Sequence, residues 1–154
     1  MCSRNFLMFC LLISLLTACS PSGNSGNDPK KRLTEYISRS FAVHSIGDRQ
    51  ALTEYMTGNA KYRLVAWSDE QFQQAFIDSK RQFLKLAFRD VKELSSQAVS
   101  ITYEVTYIDQ GKGHDAKVTN KKLCQLVLER GKWYISEVHN IKELVEYKNE
   151  MALP

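Results

Sequence analysis

The sequence has few of the residues that commonly build metal centres. Its 154 residues include three histidines and four cysteines, and none of these is spaced as metal ligands are. It also lacks a glycine-rich phosphate loop, a Ser-His-Asp arrangement and a pair of catalytic carboxylates at a recognisable spacing. We therefore predict no metal, no cofactor and no triad-based hydrolysis.

Long hydrophobic runs are also scarce, and the one that stands out lies at the start. Residues 6–18 are apolar except for Ser14 and Thr17, and they follow a short segment charged only at Arg4. A helix of about 13 residues is about 20 Å long, too short for a hydrocarbon core of about 30 Å. A charged start, a short apolar middle and a small-residue exit are typical of a secretory signal peptide. We predict that residues 1–18 are one.

The end of this run has a more specific pattern. Leu16, Thr17, Ala18 and Cys19 resemble the bacterial lipobox, a branched apolar residue followed by two small residues and a cysteine. The resemblance implies that the Cys19 thiol, a competent nucleophile as thiolate, receives a diacylglyceryl group and becomes the first residue. Two or more acyl chains anchor a protein stably. The residue after the cysteine is Ser20 and not aspartate. We therefore expect the lipidated protein to lie at the periplasmic face of the outer membrane of the bacterial cell envelope.

Residues 20–28 contain Ser, Gly, Asn and Pro but no apolar side chain, so we interpret residues 19–28 as the lipidated cysteine and a flexible tether. Residues 29–154 would form a single domain, in which Cys124 is the remaining cysteine. No partner is left for a disulfide. We expect Cys124 to be a small buried side chain, as free cysteines usually are. The formal net charge of +4 is too small and dispersed to indicate nucleic-acid binding. The expected partners are the membrane and either a small ligand or an envelope protein.

The first half of the domain carries helical patterns. Asp28 is suited to cap a helix and Pro29 to begin it. Its predicted inner stripe comprises Leu33, Tyr36, Ile37, Phe41 and His44.

Gly47 breaks this pattern and Asp48 is placed to cap a second helix. That helix would bear Leu52, Tyr55 and Met56. A short apolar segment follows Thr57-Gly58-Asn59 and ends near Trp67. Ser68 and Gln71 form a capping box that opens a helix with Phe72, Phe76 and Phe83 on its inner side.

The second half changes to a period of two. Residues 99–107 alternate apolar and polar, as a half-buried strand does. Another strand runs to Glu129, turns at Arg130-Gly131 and returns from Lys132 to Val138. This register would pair Leu128 with Trp133, Leu126 with Ile135 and Cys124 with Glu137. We also predict a weaker strand around residues 91–94 and a short terminal helix carrying Ile141, Leu144, Val145 and Tyr147.

Helices followed by an antiparallel meander indicate an α+β fold with helices on one face of a four-stranded sheet. The order resembles the nuclear transport factor 2-like (cystatin-like) superfamily, and within it small bacterial lipoproteins of unknown function. The segments that carry the resemblance are Met56-Thr57-Gly58, residues 68–72, residues 98–103 and residues 131–135. It implies a curved sheet that folds round a helix into a cone. The superfamily includes isomerase-like enzymes as well as binders, so the fold alone does not supply a function.

Glu137 and His139 are the candidate catalytic pair. Strand parity would place both on the face of Trp133 and Ile135, about 7 Å apart. A carboxylate beside an imidazole could perform acid-base chemistry, but both groups could equally be solvated where the strand leaves the core.

Tyr36, Tyr103 and Tyr107 are candidate ligand-binding residues, because tyrosines offer hydroxyl tips to an amphipathic pocket; ordinary core packing is the alternative. His44 is a fourth candidate, because it closes the apolar stripe of the first helix and could point into the same cavity; a satisfied group at the helix end is the alternative. A second candidate surface is basic and lies at one end of the sheet. It comprises Lys117, Lys121, Lys122, Arg130 and Lys132. A solvated edge that prevents aggregation is the alternative. The preferred hypothesis is a non-enzymatic, lipid-anchored binder, and the alternative is an isomerase-like or hydrolase-like enzyme using Glu137 and His139.

Overall fold

The computed structural model describes residues 28–147, in which helices precede a four-stranded antiparallel sheet. The α-helices are α1 (Pro29–Phe41), α2 (Arg49–Thr53), α3 (Gly58–Ala66) and α4 (Asp69–Gln73), the last continued by a π-helical turn, Gln74–Asp78. The strands are β1 (Gln82–Ser95), β2 (Ala98–Ile108), β3 (Lys117–Glu129) and β4 (Lys132–Glu146), which pair in chain order. The predicted α+β class is confirmed. The signal peptide, Cys19 and most of the tether lie outside the described residues.

Capping residues set the helix starts much as the sequence indicates. The Asp28 carboxylate accepts a hydrogen bond from the Lys30 backbone N–H at 2.9 Å, and Pro29 begins α1. At α4, the Ser68 hydroxyl accepts from the Gln71 backbone N–H, and the Gln71 side chain accepts from the Ser68 N–H. Both starts were predicted and both are confirmed.

The core lies between the helices and one face of the sheet. The inward positions of β2 are all buried while the residues between them are half-buried, as the alternation predicts. Helix α1 buries Leu33 and Ile37 in this core. Arg32 ties α1 to the sheet, since its Nε donates to the Trp133 carbonyl at 3.1 Å and its guanidinium lies 4.0 Å from the centre of the Tyr55 ring.

Three helix predictions were wrong at their ends. Helix α1 stops at Phe41, so His44 lies beyond it; α2 stops at Thr53, so Tyr55 and Met56 follow it. The backbone after α2 instead bonds to β4, where the Ile135 N–H donates to the Tyr55 carbonyl at 2.9 Å and the Thr57 N–H to the Ile135 carbonyl at 2.8 Å. Phe83 lies on β1, because the helical segment ends before Lys80, whose φ of 42° breaks the helix. The short apolar segment before Trp67 is helix α3.

The outer strands are longer than predicted. Strand β1 spans 14 residues rather than the few around 91–94, and register shifts after Phe83, Phe88 and Glu93 obscure its period. The predicted terminal helix is wrong, because β4 continues to Glu146 and pairs with β3 as far as Lys117. Ile141 and Leu144 are exposed on β4. They are three residues apart, which is also the spacing along one face of a helix, so the sequence pattern suggested a helix here.

The β3–β4 hairpin confirms most of the predicted register. Glu129 pairs with Lys132, Leu128 with Trp133 and Leu126 with Ile135. A register shift then occurs between Gln125 and Leu126, so Cys124 lies opposite Val138 and not opposite Glu137. The extra residue changes the face on which the following side chains point.

Candidate functional site

A cavity of about 270 Å³ lies between α1, α3 and the inner face of the sheet. Its most exposed lining side chains are Arg63 and Trp67, which mark the side that faces solvent. The volume is close to the lower end of the range for small-molecule sites. A wider depression of about 740 Å³ follows the outer side of α1, but exposed charged residues such as Lys31, Glu35 and Arg39 line it. The inner cavity is therefore the better candidate site.

Apolar and aromatic side chains form most of the cavity wall. Ile37, Met56, Ala60, Leu64 and Val105 are buried in the core and line it as well. The ring of Phe76 stacks on that of Phe72 with centroids 4.8 Å apart. Such a wall favours a ligand with an apolar body.

Three tyrosines bring hydroxyl groups to this wall. Tyr36, Tyr103 and Tyr107, all named from the sequence, line the cavity. Burial raises the pKa of Tyr36 to about 12 and also raises the pKa of Tyr103 and of Tyr107. They are therefore protonated at neutral pH and offer O–H donors as well as acceptors.

His44 lies elsewhere. Its side chain is exposed, it does not line the cavity, and its backbone N–H donates to the Asp48 carboxylate at 3.0 Å. The same carboxylate accepts from the Ser45 N–H at 3.0 Å. These bonds hold the pKa of Asp48 below its usual value and fix the turn before α2.

Glu137 and His139 come together outside the cavity. The His139 Nε2 is 3.7 Å from the Glu137 Oε1, yet neither residue lines the cavity. The Glu137 carboxylate is paired with Arg63 and accepts a hydrogen bond from the Asn59 Nδ2 at 2.9 Å. These contacts join α3 to β4. Acid-base chemistry at this pair stays a prediction.

The predicted basic end of the sheet is not one surface. Lys117 begins β3 whereas Arg130 follows its last residue, so the 13-residue strand separates them by about 40 Å. Lys117 pairs with Glu146 at 3.0 Å. Lys122 differs from the others because it lines the cavity.

Sequence reasoning did not place Arg81 or Lys122 in the cavity; it named Lys122 only as part of the basic end of the sheet. The signal for Lys122 was available, since Cys124 and Leu126 face inward and a period of two places residue 122 on the same face. Arg81 was hidden because the preceding helix was expected to continue through Phe83. Burial lowers the pKa of both residues, and the neighbouring charge of Arg81 lowers that of Lys122 further.

Two other kinds of site, a membrane-spanning helix and a metal cluster, are absent from residues 28–147. No helix there has the length and apolar character needed to cross a membrane, and no three side chains among His, Cys, Asp and Glu cluster as metal ligands would. Cys124 is the one cysteine among residues 28–147; it is fully buried, and burial raises its pKa to about 12.

Comparison with known proteins adds to the fold only. No family model and no curated protein matches the sequence. Among solved structures, the chain is similar to a SEC-C motif containing protein from Rhodopseudomonas palustris, with a TM-score of 0.55 and 15% identity over 76% of this chain and 81% of that one. It is also similar to an NTF-2 like protein of unknown function from Shewanella oneidensis MR-1, with a TM-score of 0.44 and 14% identity over 73% of this chain and 98% of that one.

Proposed function

We propose that the protein is a lipid-anchored component of the bacterial cell envelope whose α+β domain binds a small amphipathic ligand without transforming it. The observation that carries the proposal is the cavity of about 270 Å³, with its largely apolar wall that includes three tyrosine side chains. A small number of polar groups in a largely apolar concavity is the usual composition of a ligand site.

The anchoring half of the proposal is supported by the sequence around Cys19, which lies outside the described residues. A signal peptide at 1–18 and a lipidated Cys19 would place the domain at the periplasmic face of the outer membrane. An envelope protein as partner stays a prediction. The enzyme alternative stays one too, and the pairing of Glu137 with Arg63 and Asn59 gives that carboxylate a structural role without catalysis.

Binding is testable with a neutral fluorescent probe, N-phenyl-1-naphthylamine, whose emission rises in apolar surroundings. The protein is the full chain carrying Cys19→Ser, so that no acyl chain of its own competes for the cavity. We expect saturable emission and energy transfer from Trp67, which lines the cavity. No saturable signal from the folded protein would overturn the proposal.

Cavity-filling variants locate the binding. Ala60 lines the cavity on α3, so Ala60→Phe should abolish probe binding, while Ala66→Phe on the exposed side of the same helix should not. Because overpacking costs about 1 to 3 kcal/mol, Val138→Phe at the half-buried β4 wall is a second blocking variant. Equal binding by the blocking variants and Ala66→Phe, all shown to be folded by circular dichroism, would place the probe elsewhere.

A further inference from the structure

Lys122 occupies a position where a sheet normally places an apolar residue. It lies on the inner strand β3 between the buried residues Asn120 and Cys124, on the face that packs against the helices, and opposite the buried Tyr103. Its side chain lines the cavity. Among residues 28–147 no carboxylate comes within ion-pair distance of it, and Glu143 favours its charge only through a longer-range field.

Arg81 brings a second positive charge to the same cavity from the segment just before β1. Its guanidinium lies 5.0 Å from the Phe41 ring centre and 4.8 Å from that of Phe76, and one Nη donates to the Ser40 carbonyl at 3.1 Å. Among the described residues its Nε is buried without a hydrogen-bond partner, and no carboxylate there forms an ion pair with this guanidinium. Asp109 favours its charge through a longer-range field.

Two cations of the cavity therefore lack a neutralising partner in the described part of the chain. Among the described residues the lining has Arg63, Arg81 and Lys122 but no Asp or Glu, and of these three cations Glu137 pairs with Arg63. Two cations that repel each other in a partly buried apolar site destabilise the empty protein. An oxyanion bound in the cavity would offset the repulsion between Lys122 and Arg81.

Tyr107 adds a neutral donor at the same place. Its hydroxyl oxygen accepts a hydrogen bond from the Asn120 Nδ2 at 2.9 Å and is in contact with Arg81. A phenol hydroxyl donates one hydrogen bond as well as accepting, so this group can also serve a ligand as a donor. Lys122, Arg81 and Tyr107 line the same cavity, and each carries donor groups suited to an acidic group.

We propose that Lys122 and Arg81 bind the acidic head of the ligand, so that the cavity selects a small oxyanion, a carboxylate or a phosphate monoester, attached to an apolar body. This inference rests on the proposed function and names the ligand class for the same cavity. Charge-assisted hydrogen bonds in a site of low dielectric are strong, so the head group should dominate selectivity while the aromatic wall tolerates different bodies.

The test compares octanoate, octyl phosphate, octanol and octylamine as competitors of N-phenyl-1-naphthylamine on the Cys19→Ser chain. We expect at least one of the two anions to compete about tenfold or more tightly than octanol, with octylamine the weakest. The tighter anion identifies the head group. If the probe binds but octanol competes as well as both anions, the inference fails and the proposed function stands; if the probe does not bind, the proposed function itself fails.

Substitutions at residue 122 test whether Lys122 causes the preference for anions over octanol. Lys122→Met, which keeps the length of the side chain but removes its charge, should reduce the ratio of anion to octanol affinity about tenfold, whereas Lys122→Arg should retain most of it. Lys121→Met is the matched control, because Lys121 is the neighbouring residue of the same strand and does not line the cavity. Arg81→Lys retains the charge but not the planar guanidinium, which can donate two parallel hydrogen bonds to an oxyanion, and should weaken anion binding only. An unchanged ratio in Lys122→Met that still binds the probe would overturn the assignment.

Discussion

At the scale of single residues, we expect Lys122 to lower the free energy of unfolding of the domain. Burial and the nearby charge of Arg81 lower its pKa, so the folded protein disfavours the charged lysine. Replacing it with methionine removes an unpaired charge from an apolar wall. We expect Lys122→Met to raise the free energy of unfolding by about 1 to 2 kcal/mol in the absence of ligand, measured by urea titration. Lys121→Met on the same strand should change it little, and a destabilised Lys122→Met would contradict this account.

The same pKa shift predicts how that difference depends on pH. In the unfolded chain Lys122 keeps its proton up to its ordinary pKa of 10.5, above its pKa in the folded protein. Between these two values Lys122 binds more protons in the unfolded state than in the folded state, so its own contribution to the stability of the wild type rises with pH. The advantage of Lys122→Met should therefore shrink as the pH rises through this window and stay constant below it. Comparing the two proteins at each pH cancels the titration of the tyrosines.

Cys124 should be chemically inert in the folded protein. Its side chain is fully buried, and its pKa of about 12 leaves almost no thiolate at neutral pH. Iodoacetamide should leave it unmodified until concentrated guanidinium chloride unfolds the domain, as peptide mass mapping of Cys124 can show. Modification of the native protein within minutes would indicate that the core opens readily at β3.

At the scale of elements, predictions succeeded where the signal is local. Asp28 with Pro29 and Ser68 with Gln71 specify helix starts through contacts within one turn, and the strict alternation of β2 specifies its buried face. The failures lie where distant pairing decides. Strand β1 has three register shifts, and β4 beyond Val138 is held as a strand by its ladder to β3. No pattern within either segment contains that information.

The residues of the candidate site also divide into those placed by a local sequence pattern and those placed by contacts with distant parts of the chain. Tyr103, Tyr107 and Lys122 are placed in the cavity by strand parity and could be found from the sequence. Arg81 depends on where a helix ends, and the position of Glu137 depends on the register shift near Gln125. Single-residue shifts of this kind move a side chain to the other face of a sheet.

The β3–β4 turn offers an element-scale prediction. Arg130 and Gly131 have φ angles of 51° and 76°, as a two-residue hairpin turn requires, and this region is unfavourable for arginine. Arg130→Asn should stabilise the protein by about 0.5 to 1 kcal/mol without changing ligand binding. Gly131→Ala should destabilise it by about 1 kcal/mol through the backbone, because no atom lies within 4 Å of an added methyl group. A lower unfolding temperature for Arg130→Asn than for the wild type would mean that the Arg130 side chain stabilises the turn.

At the scale of the whole molecule, the cavity exists because helices and sheet meet along only part of their length. Strands β1 and β4 have 14 and 15 residues, and their exposed stretches extend beyond the helical layer. Where α1 and α3 cover the sheet, the small side chain of Ala60 and the aromatic rings leave space between the layers. The β4 register shift places Glu137 beside Arg63. Arg63, on the solvent side of the cavity, is therefore neutralised, whereas Arg81 and Lys122 inside it are not neutralised by any residue that the structure describes.

The last prediction concerns how this domain is held in its cell. If Cys19 carries the anchor, residues 20–28 connect it to α1, and a fully stretched chain of this length reaches about 30 Å. The wild type should then fractionate with membranes and show an intact mass lacking residues 1–18 and increased by at least two acyl chains. Cys19→Ser should lose the acyl mass and either become soluble or keep its leading segment. Cys124→Ser is the matched control, because it also replaces a cysteine but leaves residues 16–19 unchanged, and it should stay lipidated. Equal membrane fractionation and equal mass increments for wild type and Cys19→Ser would show that the attachment, if any, lies elsewhere in the chain.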